Sequence, residues 1–159
     1  ITENVEPEAF RIAYELFEGK RFRSGLPPQI SKKAKADYTK AMGILGQFYK
    51  AGVPIIAGTD NIVPVYGLYL EIETYQKLGG LTPLEAIKTA TIIPAKAMGL
   101  DAETGTLEIG KEADIAILEK NPLVDITNLR TVSAVITNGN YYKSSSLWSA
   151  ADFIPREDK

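Results

Sequence analysis

The sequence of 159 residues contains neither histidine nor cysteine. Without cysteine it has no disulfide bond and no thiolate zinc site, and the redox compartment of the protein is left undecided. Without histidine it has no imidazole to serve as a metal ligand or as a general base near neutral pH. Acid–base or metal chemistry carried by this chain must therefore depend on carboxylates.

The sequence also lacks a strong charge of either sign and a long apolar run. Its formal net charge is −2 with mixed signs, which argues against an electrostatic nucleic-acid or membrane partner. No apolar run is long enough to span a bilayer, and no signal peptide is recognisable. The hydrophobic content of 45% is typical of one globular domain. Because the chain begins at Ile1 instead of methionine, we expect a processed piece or a fragment of a longer protein.

Apolar residues at helical spacing predict a helical first part of the chain. Arg23–Gln29 contains consecutive prolines and predicts a loop. Ser31 is a candidate N-cap for a long helix, and Gly52 is suited to its C′ position. Thr82-Pro83-Leu84-Glu85 has the pattern of a capping box with proline at the first helical position. The predicted helices lie within residues 1–22, at 31–51, at about 67–78, at 83–90, and as a short turn from Pro94 to near Gly99.

The hydrophobic period changes from helical to two near Gly105, which predicts β-strands. The predicted strands cover 106–109, 113–118 and 132–137. Asn138-Gly139 is a strong two-residue hairpin signal, and Asn121-Pro122 predicts another turn. Residues 144–159 are predicted to form a loosely held tail, which Trp148 and Phe153 could attach to the rest of the chain.

The segment at 51–60, A-G-V-P-I-I-A-G-T-D, predicts a short strand at 53–57. An apolar run of this kind is typical of a parallel strand buried on both faces. Asp60 then stands at the carboxyl end of that strand, where barrel and open α/β folds hold catalytic carboxylates. The alternative is that Asp60 only caps the turn. Since one parallel-type strand cannot form a sheet by itself, we interpret the chain as the end of a larger fold.

Five motifs in register make the chain resemble the C-terminal portion of the metal-dependent amidohydrolase superfamily. The nearest resemblance is to its prolidase-like and imidazolonepropionase-like branches. The motifs are A-G-V-P-I-I-A-G-T-D (51–60), G-L-T-P-L-E-A-I-K-T-A-T-I-I-P-A-K-A-M-G-L (80–100), G-T-L-E-I-G-K-E-A-D-I-A-I-L (105–118), N-P-L-V-D-I-T-N-L (121–129) and V-I-T-N-G (135–139).

The resemblance implies an α/β fold in which the chain is a C-terminal fragment of a (β/α)₈ barrel plus part of a small β-sandwich. Residues 1–99 would form the last part of the barrel, with 53–57 as its eighth strand. Residues 100–143 would supply sandwich strands, and 144–159 would be the tail. A (β/α)₈ barrel needs about 250 residues, so this chain cannot close one alone. Unpaired sheet edges then predict a homo-oligomer.

The resemblance assigns Asp60 two roles, contact with a divalent metal and base for the water that attacks a C–N bond. Zinc is the expected ion, and a small-molecule amide, dipeptide or cyclic amide is the expected substrate of the full-length protein. The histidines and the lysine or carboxylate ligand of the family belong to earlier strands. We therefore expect the isolated chain to hold no metal and to be inactive. A histidine found after strand eight in prolidase-like members is also missing, and Tyr69 stands near that place.

Other polar residues near Asp60 have a functional and a structural interpretation. Glu71 and Glu73 could perform acid–base work, although a solvated helix face or salt bridges are more usual at this spacing. Asp114 fits a turn or strand start better than a ligand. Thr59 and Asn61 flank Asp60 and could either orient it or serve only the turn. Tyr66, Tyr69 and Tyr75 are interpreted as packing residues, one of which could line a substrate pocket in a complete enzyme. An alternative function is a non-catalytic fragment or oligomerisation module that keeps the same fold.

Overall fold

The computed structural model describes residues 28–59 and 66–150, and its first helix, α1, runs from Pro28 to Lys50. The helix predicted within residues 1–22 lies outside these residues. Helix α1 begins before the predicted cap Ser31, because proline is tolerated in the first turn of a helix, and the predicted loop therefore ends earlier. Its end is as predicted: Gly52 has a φ of 86°, and the amide of Val53 donates to Phe48 O at 3.0 Å.

Residues 53–59 have no regular secondary structure, so no paired strand is seen at 53–57 within the described residues, and the assignment of 53–57 as the eighth strand of a barrel stays a prediction. A strand requires a neighbouring backbone, and no second strand pairs with this segment within 28–59 and 66–150. The expected burial on both faces is also absent. Ile55 and Ala57 pack against the core, whereas Val53 and Ile56 are 45% and 44% exposed.

Three helices follow: α2 at Tyr66–Lys77, α3 at Pro83–Lys88 and α4 at Ile92–Ala97. The capping box of α3 is confirmed, since the amide of Glu85 donates to Thr82 Oγ1 at 3.3 Å and Glu85 Oε2 accepts from the Thr82 amide at 2.7 Å. Helix α4 begins before Pro94, which is tolerated there because it remains in the first turn.

The core lies where α2 meets the segments that follow it. Its buried apolar members are Ile72, Tyr75, Leu81, Ala86 and Ile126. Partly buried residues from α1 and from 53–59 pack around them. The core thus joins the helical part to the segment around Ile126, which lies between the first two strands of the sheet.

An antiparallel sheet forms the last part of the described chain, with β1 at Ile115–Leu118, β2 at Val132–Thr137 and β3 at Asn140–Lys143 in that order. The predicted hairpin is confirmed: Asn138 and Gly139 have φ angles of 50° and 74° between β2 and β3. These positive angles match a two-residue turn whose twist suits the strands.

The strand predicted at 106–109 is wrong, because this stretch folds into turns around a lysine. Lys111 Nζ donates to Asp101 O and to Thr106 Oγ1, both at 2.6 Å, and pairs with Glu108 at 3.7 Å. These bonds curl the chain back on itself. No strand within the described residues pairs with 106–109.

One short helix precedes β2 and another follows β3. A 3₁₀ helix at Ile126–Arg130 is capped by Asp125, whose carboxylate accepts from the Thr127 amide at 2.9 Å. Helix α5 at Ser144–Ala150 replaces the first half of the predicted loose tail. Buried Ser144 donates to Val132 O at 2.6 Å, so the start of α5 is fastened to β2. Residues 151–159 lie outside the described range, and the predicted domain boundaries remain a prediction.

Candidate active site

Asp60 and Asn61 lie outside the described residues, but the chain that leads to Asp60 is described up to Thr59. We call residues 53–59 the approach to Asp60. Two successive backbone amides near its end are held by hydrogen bonds. The amide of Ala57 donates to Thr89 O at 2.9 Å, and the amide of Gly58 donates to Glu71 Oε1 at 3.1 Å. Thr59 follows and is half-buried. The two partners belong to different parts of the chain, so the approach to Asp60 is tied to both.

Glu71 lies on α2 and faces this approach. Besides the Gly58 amide, Glu71 Oε1 accepts a hydrogen bond from the hydroxyl of Tyr75, one turn further along the helix. Glu71 Oε2 is buried, and no described residue donates a hydrogen bond to it. A buried carboxylate oxygen without a donor costs free energy, which the two hydrogen bonds to Oε1 offset in part.

The tyrosines of α2 supply packing and one hydrogen bond. Burial, and then the hydrogen bond to Glu71, raise the pKa of the Tyr75 hydroxyl far above its ordinary value. Tyr75 therefore stays protonated and acts as a donor to Glu71. Tyr69 is half-buried, and burial raises its pKa as well. Tyr66 is the first residue of α2, and its side chain lies outside the described residues.

Glu73 has a different role from Glu71, although only one residue separates them. Glu73 is 4% exposed, and its Oε1 accepts from Arg130 Nε at 2.7 Å. Its Oε2 pairs with Lys77 Nζ at 3.3 Å. Of the predicted alternatives, the salt-bridge partner is confirmed and the solvated face is wrong. Glu73 links α2 to the 3₁₀ helix and does not contact the approach to Asp60.

Asp114 is placed as a structural carboxylate. It precedes β1, and its Oδ1 accepts from Thr137 Oγ1 at 2.6 Å at the end of the neighbouring strand β2. Asp114 is exposed at this edge of the sheet. Its predicted role at a strand start is confirmed.

A complete metal site is not formed by the described residues. No group of three or more aspartate, glutamate, histidine or cysteine side chains comes together within 28–59 and 66–150. The sequence as a whole has no imidazole or thiolate to add. Asp60 has the carboxylate chemistry of a metal donor, but three protein ligands are the usual minimum for catalytic zinc.

The contact between Glu71 and Gly58 was not accessible to sequence reasoning. Thirteen residues separate the two partners, and no local pattern links them. A partial signal exists in the spacing of Glu71 and Tyr75, because residues four apart on a helix share a face. None of the described helices has the length and apolarity needed to cross a membrane.

Comparison with known proteins gives consistent matches. The sequence model of the amidohydrolase family matches residues 40–141. Ochratoxinase from Aspergillus niger is 46% identical over 87 residues, which are 54% of this chain and 18% of that protein. Its crystal structure superposes with a TM-score of 0.63 at 35% identity over 82% of this chain and 31% of its own.

Two further relatives represent the branches that the motifs resemble. Imidazolonepropionase from Thermoplasma volcanium is 31% identical over 102 residues, covering 58% of this chain and 24% of that protein. A crystal structure of an Xaa-Pro dipeptidase with methionine in its active site has a TM-score of 0.61 at 30% identity, over 75% of this chain and 29% of its own. The chain thus spans about a fifth of the length of these sequence relatives. Its mixed helices and strands form a partial α/β fold of the kind those proteins share.

Proposed function

Because this chain belongs to the amidohydrolase family, whose members are metal-dependent hydrolases, we propose that the complete protein hydrolyses a C–N bond. The prolidase-like and imidazolonepropionase-like relatives favour a small-molecule amide, dipeptide or cyclic amide as the substrate. The observation that carries the proposal is the family match over residues 40–141, within which Asp60 lies.

Asp60 is the proposed catalytic base. A carboxylate in this role accepts a proton from a water as the water oxygen attacks the carbon of the scissile bond. It then gives this proton to the nitrogen, so that the C–N bond breaks and the nitrogen leaves as an amine. A divalent metal, with zinc as the expected ion, would supply Lewis-acid chemistry and lower the pKa of a bound water. Asp60 would provide one donor to that metal, and the other donors must come from outside this chain.

The approach to Asp60 supports this assignment. A general base must be held within hydrogen-bond reach of the proton that it removes. The amides of Ala57 and Gly58 are anchored to Thr89 and Glu71, so the backbone is held shortly before Asp60.

The test is the substitution Asp60→Asn in the complete protein, assayed with Xaa-Pro dipeptides and N-acylated amino acids. We expect kcat to fall by about 100- to 10,000-fold, since an amide cannot act as the base. The matched control is Asp37→Asn, which removes an exposed carboxylate from α1. Near-normal turnover in Asp60→Asn would exclude the role of Asp60, and no turnover by the unsubstituted protein would favour a non-catalytic module.

We also propose that the chain associates with copies of itself when it is isolated. Large apolar side chains stand exposed on α1 and on the following segment, among them Phe48, Val53 and Ile56. Exposed apolar groups of this size favour association. Light scattering at tens of micromolar should detect a species larger than one chain, and a clean monomer would contradict the proposal.

A further inference from the structure

Glu71 contacts the approach to Asp60, and the chemistry proposed above gives it no task. Its Oε1 accepts from the Gly58 amide at 3.1 Å, and Gly58 precedes Asp60 by two residues. Its carboxylate is not held by an ion pair within the described residues, in contrast to that of Glu73. A contact of this kind between a helix and an irregular segment serves to fix the segment.

We propose that Glu71 is a positioning residue for Asp60. By accepting the hydrogen bond of the Gly58 amide, Glu71 orients the backbone that leads to Asp60. The inference rests on the proposed function, since it assumes that Asp60 is the base. A misplacement of about 1 Å at a reacting group can cost about 100-fold in rate, so a single backbone anchor has a measurable effect.

The segment depends on this anchor because it has few others. Residues 53–59 are not paired with a strand in the described part of the chain, so no ladder of backbone hydrogen bonds holds them. The Val53 amide is held by Phe48 O at the start of the segment, and near Asp60 two neighbouring amides are held, Ala57 by Thr89 O and Gly58 by Glu71 Oε1. Successive amides that donate to different elements fix the orientation of two peptide planes. Loss of the Glu71 anchor leaves the plane nearer to Asp60 without its partner.

Glu71 itself is held firmly enough to act as an anchor. The Tyr75 hydroxyl donates to the same oxygen, and Tyr75 is 5% exposed in the core. Ile72, between them on α2, is buried in the same cluster. The ion pair from Glu73 to Arg130 ties the helix to the 3₁₀ helix. The carboxylate of Glu71 is therefore presented from a fixed helix to a segment that has no regular structure.

Substitutions at Glu71 separate positioning from direct chemistry. Glu71→Ala removes the acceptor, and we expect kcat in the complete protein to fall by about 10- to 100-fold while KM changes by less than about threefold. Glu71→Gln keeps an acceptor oxygen for Gly58 and Tyr75 but has no charge, and it should recover kcat to within about fivefold of the unsubstituted protein. If Glu71→Gln is as slow as Glu71→Ala, the charge of Glu71 acts directly and the positioning role is refuted.

A second readout does not depend on turnover. Peptide-resolved amide hydrogen exchange over residues 53–59 should be at least about tenfold faster in Glu71→Ala than in the unsubstituted protein, because the Gly58 amide loses its acceptor. The matched control is Lys77→Ala, which removes an exposed charged side chain from the same helix without touching Gly58. It should leave exchange at 53–59 and kcat unchanged within about twofold. Unchanged exchange in Glu71→Ala, or equal acceleration in Lys77→Ala, would overturn the inference.

Two further variants keep the test decisive. If Glu71→Ala does not fold, Tyr75→Phe removes the second donor to Glu71 and keeps the ring in the core. A faster exchange at 53–59 with a lower kcat supports the inference, and normal values of both oppose it. Asp60→Asn is assayed in parallel. If it retains turnover, the proposed function fails, while the exchange measurement still reports whether Glu71 holds Gly58.

Discussion

The backbone of Gly46 in α1 lies directly against the backbone of Gly79, beyond the end of α2. A Cβ at position 46 would overlap the carbonyl oxygen of Gly79 and lie 2.8 Å from its carbonyl carbon. Both groups are main-chain atoms, so neither can turn aside. This close approach brings α1 and the end of α2 together, next to the core that also contacts the approach to Asp60.

The first prediction uses the contrast between Gly46 and Gly43 on the same helix. Gly46→Ala should destabilise the protein by about 1–3 kcal/mol or more, because the added methyl group forces two backbones apart. Gly43→Ala should instead stabilise it by about 0.5–1 kcal/mol, since nothing lies within 4 Å of the added Cβ and alanine favours a helix. Chemical denaturation measures both. Equal effects of the two substitutions would contradict the close approach.

The second prediction concerns the ion pair of Glu73 with Arg130. Glu73→Ala should lower the free energy of unfolding by about 1–3 kcal/mol, because a partly buried guanidinium loses one of its partners. Lys77→Ala removes the other, more exposed partner of Glu73 and should cost less than about 1 kcal/mol. Denaturation of the two variants side by side tests this order. A larger loss from Lys77→Ala would reverse it.

The third prediction concerns pH and the capping box of α3. Hydrogen bonds from the Thr82 backbone, and then from its hydroxyl, hold the pKa of the Glu85 carboxyl below its ordinary value of 4.5. A lowered folded pKa contributes stability that is present above 4.5 and is lost as the pH falls through the folded pKa. Glu85→Gln keeps an acceptor for the cap but cannot titrate.

The stability difference between the unsubstituted chain and Glu85→Gln should therefore shrink as the pH falls below 4.5. Thr82→Ala, which removes the other half of the cap, should cost about 1 kcal/mol at neutral pH. Thermal melts at a series of pH values check both statements. A difference that stays constant down to pH 2 would show that the charge of Glu85 does not contribute.

The fourth prediction concerns metal. The isolated 159-residue chain should hold no stoichiometric zinc after gel filtration, because it contains no histidine and no cysteine and a lone carboxylate binds zinc too weakly. The complete protein should hold zinc, and removal of the metal by a chelator should abolish hydrolysis. Elemental analysis measures both preparations. About one tightly held zinc per isolated chain would refute the prediction.

Local sequence patterns predicted the parts of this fold whose partners are near in the chain. The capping box at Thr82 and Glu85 was predictable because its two partners are three residues apart. The Asn138-Gly139 hairpin and the end of α1 at Gly52 were predictable because positive φ angles favour particular residue types. The family itself could be identified from motifs, and the match over residues 40–141 confirms it.

Only the tertiary structure distinguished the role of Glu71 from the role of Glu73. Both stand on the same short stretch of α2, and the sequence offers the same two interpretations for each. Glu71 binds the Gly58 amide, 13 residues away, and Glu73 binds Arg130, 57 residues away. The same holds for the segments at 53–57 and 106–109, whose apolar patterns are strand-like although no strand within the described residues pairs with either of them. The sequence determined elements set by neighbours a few residues apart, whereas folding decided these roles because pairing and burial depend on groups that are distant along the chain.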